Sequence, residues 1–141
     1  MESFIHVTVF LLIVLWVYAS LSKLLDFRHF QMTMHRQTLF PFLKDLLIYG
    51  LPPTELVIAA ILLFDKLQKV GLYASFVLLS IFTGYIALVL MQVFGRVPCS
   101  CGGILEHMGW TVHLLFNLFF LTITLITLLI IKRKEPYQHS K

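Results

Sequence analysis

Residues 111–131 read TVHLLFNLFFLTITLITLLII, with no Asp, Glu, Lys or Arg among them. A helix needs about 20 predominantly apolar residues to cross the hydrocarbon of a bilayer. A run this long and this uncharged is read as a membrane span rather than as the core helix of a soluble domain. The same pattern recurs at residues 4–25, 53–67 and 70–94, the second being the shortest. Backbone in lipid has no water to bond to and must satisfy its own N–H and C=O groups, so all four spans are expected to be helices.

Composition points the same way. Of 141 residues, 59% are apolar and 13% charged, against about 45–50% and 25% in a typical soluble domain. Mean hydropathy is +0.89. The expectation is an all-α integral membrane four-helix bundle, a single domain over residues 1–141 in contact with the lipid bilayer, with no separate soluble domain. The formal charge of +4 comes largely from Lys132, Arg133, Lys134 and Lys141. Beside a span such a cluster sets topology and meets anionic lipid headgroups, so no nucleic-acid partner is expected. The first apolar run is expected to be retained. Met1-Glu2 supplies no basic leader, and residues 4–21 outrun the roughly 7–15 apolar residues of a signal peptide, although Ala19-Ser20 resembles a cleavage site.

Residues 26–50 lie between the first two spans. Phe27, Phe30 and Met34 recur at helical spacing with His29, Arg36 and Gln37 on other faces, which predicts a short amphipathic helix at the membrane interface. Pro41 is expected to end that helix, residues 43–49 re-enter apolar territory, and Pro52-Pro53 are expected to open the second span, where missing N–H groups cost least.

An even number of spans puts both termini on one side. Lys66, Lys69 and the tail abut the membrane there, while Lys23, Arg28, Arg36, Lys44 and Arg96 lie on the other. The positive-inside rule then favours cytoplasmic termini, with the loop after the third span outside, in the inner (plasma) membrane of a bacterium. Antiparallel threading gathers Ser22, Lys23, Glu55, Gln92, Cys99, Cys101, His107 and His113 at one face of the bundle. The opposite face holds mainly Asp65, Lys66, Lys69 and the tail.

The loop Val97-Pro98-Cys99-Ser100-Cys101-Gly102-Gly103 contains both cysteines of the chain. A disulfide across one intervening residue needs a tight turn and tends to be strained. Strained bridges are easily reduced and tend to be catalytic or regulatory. Pro98 fixes the approach and Gly102-Gly103 permits the turn. Redox exchange by Cys99 and Cys101 is the leading reading. Two inert cysteines packed in a loop is the second. Metal binding with His107 is the third, and it lacks the further ligands of a closed site, so no metal is assigned.

Two readings also stand for Lys23 and Glu55. They pair beneath the loop, where a lysine favours a reactive thiolate, or Glu55 sits at a helix N-terminus and Lys23 snorkels to the headgroups. His113 and Asn117 are four residues apart and share one face of the fourth span. A proton relay or quinone contact is one account of them, and plain interhelical hydrogen bonding is the other. Tyr85 and Gln92 pose the same choice. Trp110 reads as an interfacial anchor, and Phe116, Phe119 and Phe120 as lipid-facing and packing residues. No Gly-rich phosphate loop, serine–histidine–acid set or paired catalytic carboxylates is apparent.

Three stretches carry a resemblance to a known family: Ala19-Ser20-Leu21-Ser22-Lys23-Leu24-Leu25-Asp26, Leu51-Pro52-Pro53-Thr54-Glu55-Leu56 and Val97-Pro98-Cys99-Ser100-Cys101-Gly102. In this order they resemble the small-residue and lysine motif, the proline–glutamate motif and the Cys-x-Cys loop of the MauE/DoxX group of four-helix membrane proteins, and within it the MauE family. Gly102-Gly103 departs from an expected aromatic residue before the glycine, which bears on substrate identity more than on redox chemistry. The resemblance implies a redox-associated membrane protein, and in the MauE branch a role in amine metabolism, maturing a disulfide-rich periplasmic amine dehydrogenase.

The resulting expectation is thiol–disulfide exchange or electron relay through Cys99 and Cys101 in support of an extracytoplasmic partner. One thiolate attacks the partner's disulfide and its neighbour resolves the mixed disulfide. Supporting roles fall to Lys23, Glu55, His107, His113 and Asn117. The natural partner is a thioredoxin-like or cysteine-rich protein, and a quinone is the candidate electron sink, with no other cofactor evident. The alternatives are a non-enzymatic membrane assembly subunit and, ranked lowest, a small transporter or metal handler.

Overall fold

The computed structural model describes residues 1–37, 39–91 and 109–138, with side chains as far as residue 133. Gln92, Cys99, Cys101, Gly102, Gly103 and His107 lie outside the described residues. Among the described residues the chain forms helices α1 (Glu2–Leu25), α2 (Phe27–His35), α3 (Pro41–Leu63), α4 (Gln68–Leu90) and α5 (Trp110–Gln138), and no strand. Four of them, α1, α3, α4 and α5, are long and apolar enough to cross a membrane. The all-α membrane bundle read from the sequence is therefore the observed architecture.

The long helices pack as a closed ring, α1 on α3, α3 on α4, α4 on α5 and α5 back on α1, with α2 lying on α3 and α1. Their outer faces carry large apolar side chains. Phe10 is 64% exposed and Leu115 62%, which in water would promote aggregation and in lipid is the expected solvent-matched surface. Inside the ring, Leu12, Leu62, Leu72 and Leu79 are buried with Trp16, Ile58, Phe120 and Leu128. Gly71 lets α4 approach α3 closely. A Cβ there would fall 2.7 Å from Leu62 Cδ2.

Local chemistry explains most boundaries. Asp26 closes α1 and caps α2, its carboxylate accepting from the His29 backbone N–H at 3.3 Å. Phe40 is extended (φ −60°, ψ 139°), as a residue before proline prefers, and Pro41 occupies the first turn of α3. Pro41 thus starts a helix instead of ending one.

The second span differs from the expectation. Pro52 and Pro53 sit inside α3, which begins at Pro41, and the helix ends at Leu63 rather than at residue 67. Each proline removes a helical N–H donor, at a cost of about 3 kcal/mol in a soluble helix. In a membrane bundle neighbouring helices and hydroxyl side chains compensate. The carbonyls that lose a donor are those of Ile48 and Tyr49, four residues back; nearby, Ser20 of α1 donates to the Pro52 carbonyl at 2.8 Å, and Thr54 donates to the Gly50 carbonyl at 2.7 Å. Reading a proline pair as a helix start applies a rule from water to a helix in lipid.

The amphipathic helix is present as α2, with one change of face. Phe30, Thr33 and Met34 are buried together with Gln37 just beyond the helix, while His29 and Arg36 are exposed.

Candidate functional site

A cavity of about 250 Å³ lies at one end of the ring. Its walls come from the C-terminal parts of α1 and α4, the first half of α3, the start of α5, and the α2 segment with the chain that follows it. Long helices that alternate in direction bring those parts to one end, as antiparallel threading requires.

Lys23 and Glu55 meet in the wall. Lys23 Nζ donates to Glu55 Oε1 at 2.9 Å, to Oε2 at 3.1 Å and to the Ala19 carbonyl at 3.0 Å. An ammonium has three N–H donors, and these contacts use all of them. Both side chains are nearly sealed, 4% and 1% exposed. Phe30 of α2 lies over the pair, its ring centroid 6.0 Å from Nζ. Glu55 is well inside α3 and not at a helix N-terminus, and Lys23 is buried and not snorkelling, so the pairing alternative describes the geometry. A charged residue deep in a bilayer costs about 2.5–3.5 kcal/mol on insertion scales, which is why such groups pair.

A second polar link crosses the cavity wall. The Tyr85 hydroxyl of α4 donates to Gln37 Oε1, and Gln37 Nε2 donates to the Thr33 carbonyl at 3.4 Å. Tyr85 also packs edge-on against Trp110, ring centroids 6.5 Å apart. Trp110 therefore faces the cavity besides marking the start of α5. Gln37 as a wall residue escaped the sequence reading, because its partner Tyr85 is remote in the chain and its helix was divided by hydropathy alone.

His113 and Asn117 are 3% and 4% exposed, and both line the same cavity. Asn117 Nδ2 is buried without a hydrogen-bond partner. Of the anticipated site residues, Lys23, Glu55, His113 and Asn117 are thus brought together. Cys99, Cys101 and His107 lie outside the described residues, so their relation to the cavity is not part of this geometry.

The family model described as Methylamine utilisation protein MauE matches residues 1–130. The chain belongs to the MauE family. No curated protein and no solved structure matches the chain. For this member of the MauE family the match covers all four spans to within the last turn of α5's membrane segment, and with them every wall of the cavity. It is an integral membrane protein.

Proposed function

We propose that this protein is a membrane thiol–disulfide exchanger that supports maturation of an extracytoplasmic partner in methylamine or related amine utilisation. The observation that carries the reading is a Cys-x-Cys pair, Cys99 and Cys101, inside a stretch matched to the MauE family. The proposed topology has cytoplasmic termini in a bacterial plasma membrane and the cysteine loop outside. Lys66 between α3 and α4 and Lys69 in the first turn of α4, with Lys132 and Arg133 at the end of α5's membrane segment, support that orientation.

Exchange is reversible and passes through a mixed disulfide. When the pair is reduced, one thiolate attacks a partner disulfide and releases one partner thiolate. The second cysteine then closes the Cys99–Cys101 bridge and releases the other. The pair has lost two electrons and the partner has gained them. In the opposite direction a partner dithiol is oxidised to a disulfide and the pair is reduced, which is the direction maturation of a disulfide-rich protein requires. A quinone, as electron sink, would accept the two electrons and two protons that restore the bridge.

The Lys23–Glu55 pair fits a supporting role in this scheme. Its charges cancel, so it fixes α1 on α3 without projecting the positive field of a lone lysine. The soluble partner is of the thioredoxin-like or cysteine-rich kind.

Trapping tests the reading. A Cys99→Ser or Cys101→Ser variant is expected to accumulate a mixed disulfide with one definite extracytoplasmic protein, visible as a reductant-sensitive adduct on gels. No adduct from either variant, together with a drop in thermal stability of both, would replace exchange with an assembly role in which the cysteines only staple the loop.

A further inference from the structure

Most polar groups in the cavity wall are engaged. Lys23 and Glu55 hold each other, and Gln37 and Tyr85 hold each other. His113 and Trp110 also have interactions of their own. Asn117 lines the space of about 250 Å³, and its Nδ2 is a buried donor without a hydrogen-bond partner. A buried donor left unmade keeps its full desolvation penalty, so the position calls for an acceptor.

The rest of the wall says what kind of molecule carries that acceptor. It is dominated by Leu and aromatic side chains, among them Phe82, Phe116 and Trp110. Its two charges neutralise each other, leaving none to hold an ionic headgroup. A dry cavity of about 150 Å³ accommodates benzene, so this one has room for a substituted ring. Water is a poor occupant, because a buried water wants two to four polar partners. Ile81 lines the cavity and is also 60% exposed on the outer surface of the bundle. That places one wall against the hydrocarbon of the bilayer and gives a lipid-soluble molecule a lateral approach.

We infer that the cavity is a binding site for a flat, neutral, lipid-soluble ring bearing a carbonyl oxygen, the quinone class, and that Asn117 donates to that carbonyl. The inference rests on the redox reading for the ligand's task, not for its fit.

Both tryptophans of the chain, Trp16 and Trp110, line the cavity, so a quinone bound there quenches their fluorescence. The experiment titrates the full-length protein in lipid nanodiscs with ubiquinone-1. Wild type is expected to show saturable quenching. Asn117→Leu, apolar and compatible with a membrane helix, is expected to bind about tenfold more weakly while keeping its helical circular dichroism. A second variant, Leu47→Trp, fills the cavity, and its binding is read by competition with a photoreactive quinone. It should abolish labelling of the α4 and α5 walls.

Equal affinity of wild type and Asn117→Leu, quenching that rises without saturating, or undiminished labelling in Leu47→Trp each overturns the site. The Cys99→Ser/Cys101→Ser double variant separates this from the redox reading. Quinone binding retained in that variant, with no mixed disulfide trapped by either single cysteine variant, leaves the site standing and removes the exchange. Exchange in a wild-type protein that binds no quinone does the reverse.

Discussion

The two ends of the bundle differ in the polar bonds that join one helix to another. Away from the cavity, hydroxyl groups bond back to their own helix: Thr8 to the Phe4 carbonyl at 3.0 Å and Thr124 to the Phe120 carbonyl at 2.7 Å. The helices there meet through packed apolar side chains, Leu12, Leu62 and Leu72 among them. At the cavity end Thr54 and Thr83 bond back in the same way, and other polar groups reach across. Lys23 joins α1 to α3, Ser20 does the same through the Pro52 carbonyl, and Tyr85 joins α4 to the chain after α2. Helix association in lipid lacks a hydrophobic drive and rests on packing and interhelical bonds. One end is therefore closed by fit, while the other is bridged by a polar frame around the cavity.

If that frame is what keeps the cavity end together, its strongest member is the ion pair. Removing one partner of a buried pair leaves an uncompensated charge and costs about 3–5 kcal/mol, whereas replacing both with apolar residues is often neutral or stabilising. Glu55→Leu and Lys23→Met are each expected to lower stability by about that amount in a detergent–denaturant titration. The double variant Lys23→Met/Glu55→Leu should recover most of it. A double variant as unstable as either single one would mean the residues matter separately, and the frame would have to be rebuilt from other contacts.

How much of this was legible depended on whether a residue's partner was near in the chain. The spans of α1, α4 and α5 stand out because their apolar runs are uninterrupted, and their helices need nothing but lipid to be specified. The start of α3 was hidden by Pro52 and Pro53, which sit inside the helix where Ser20 from another helix bonds the Pro52 carbonyl. That error spread, since placing Glu55 at a helix terminus made the dipole account of it natural. Gln37 was hidden for a similar reason, its burial depending on Tyr85. The cavity left no trace at all in the residue pattern, because an unfilled volume is a property of the packed ring and not of any segment. Conversely, the cysteine pair is conspicuous in sequence, and its placement lies outside the described residues.

Packing sharpens the contrast next. Leu62 is fully buried at the closed end, against Gly71, and Leu47 is a half-buried cavity wall. Leu62→Ala opens a new void in a filled region and is expected to cost about 2–5 kcal/mol. Leu47→Ala only enlarges an existing space, so roughly 1 kcal/mol is expected, mainly for the lost methyl groups. Unfolding of the two variants in mixed micelles compares them directly. Equal losses would mean that the cavity end is as tightly fitted as the other.

The smallest effects separate bonds across helices from bonds within one. Trp16 Nε1 of α1 donates to Ser75 Oγ of α4 at 2.9 Å, and both residues are buried. Ser75→Ala strands that indole N–H between two helices. Measured interhelical bonds in membranes average about 0.6 kcal/mol and reach about 1.7, and the loss should fall in that interval. Thr124→Val keeps the side-chain shape and removes only a hydroxyl turned back on its own helix. Such back-bonding slightly destabilises a helix to begin with, so the change should lie within a few tenths of a kcal/mol of zero. Should Thr124→Val cost as much as Ser75→Ala, hydroxyls bonded within one helix would be holding the bundle too. The two ends would then differ only in the volume they enclose.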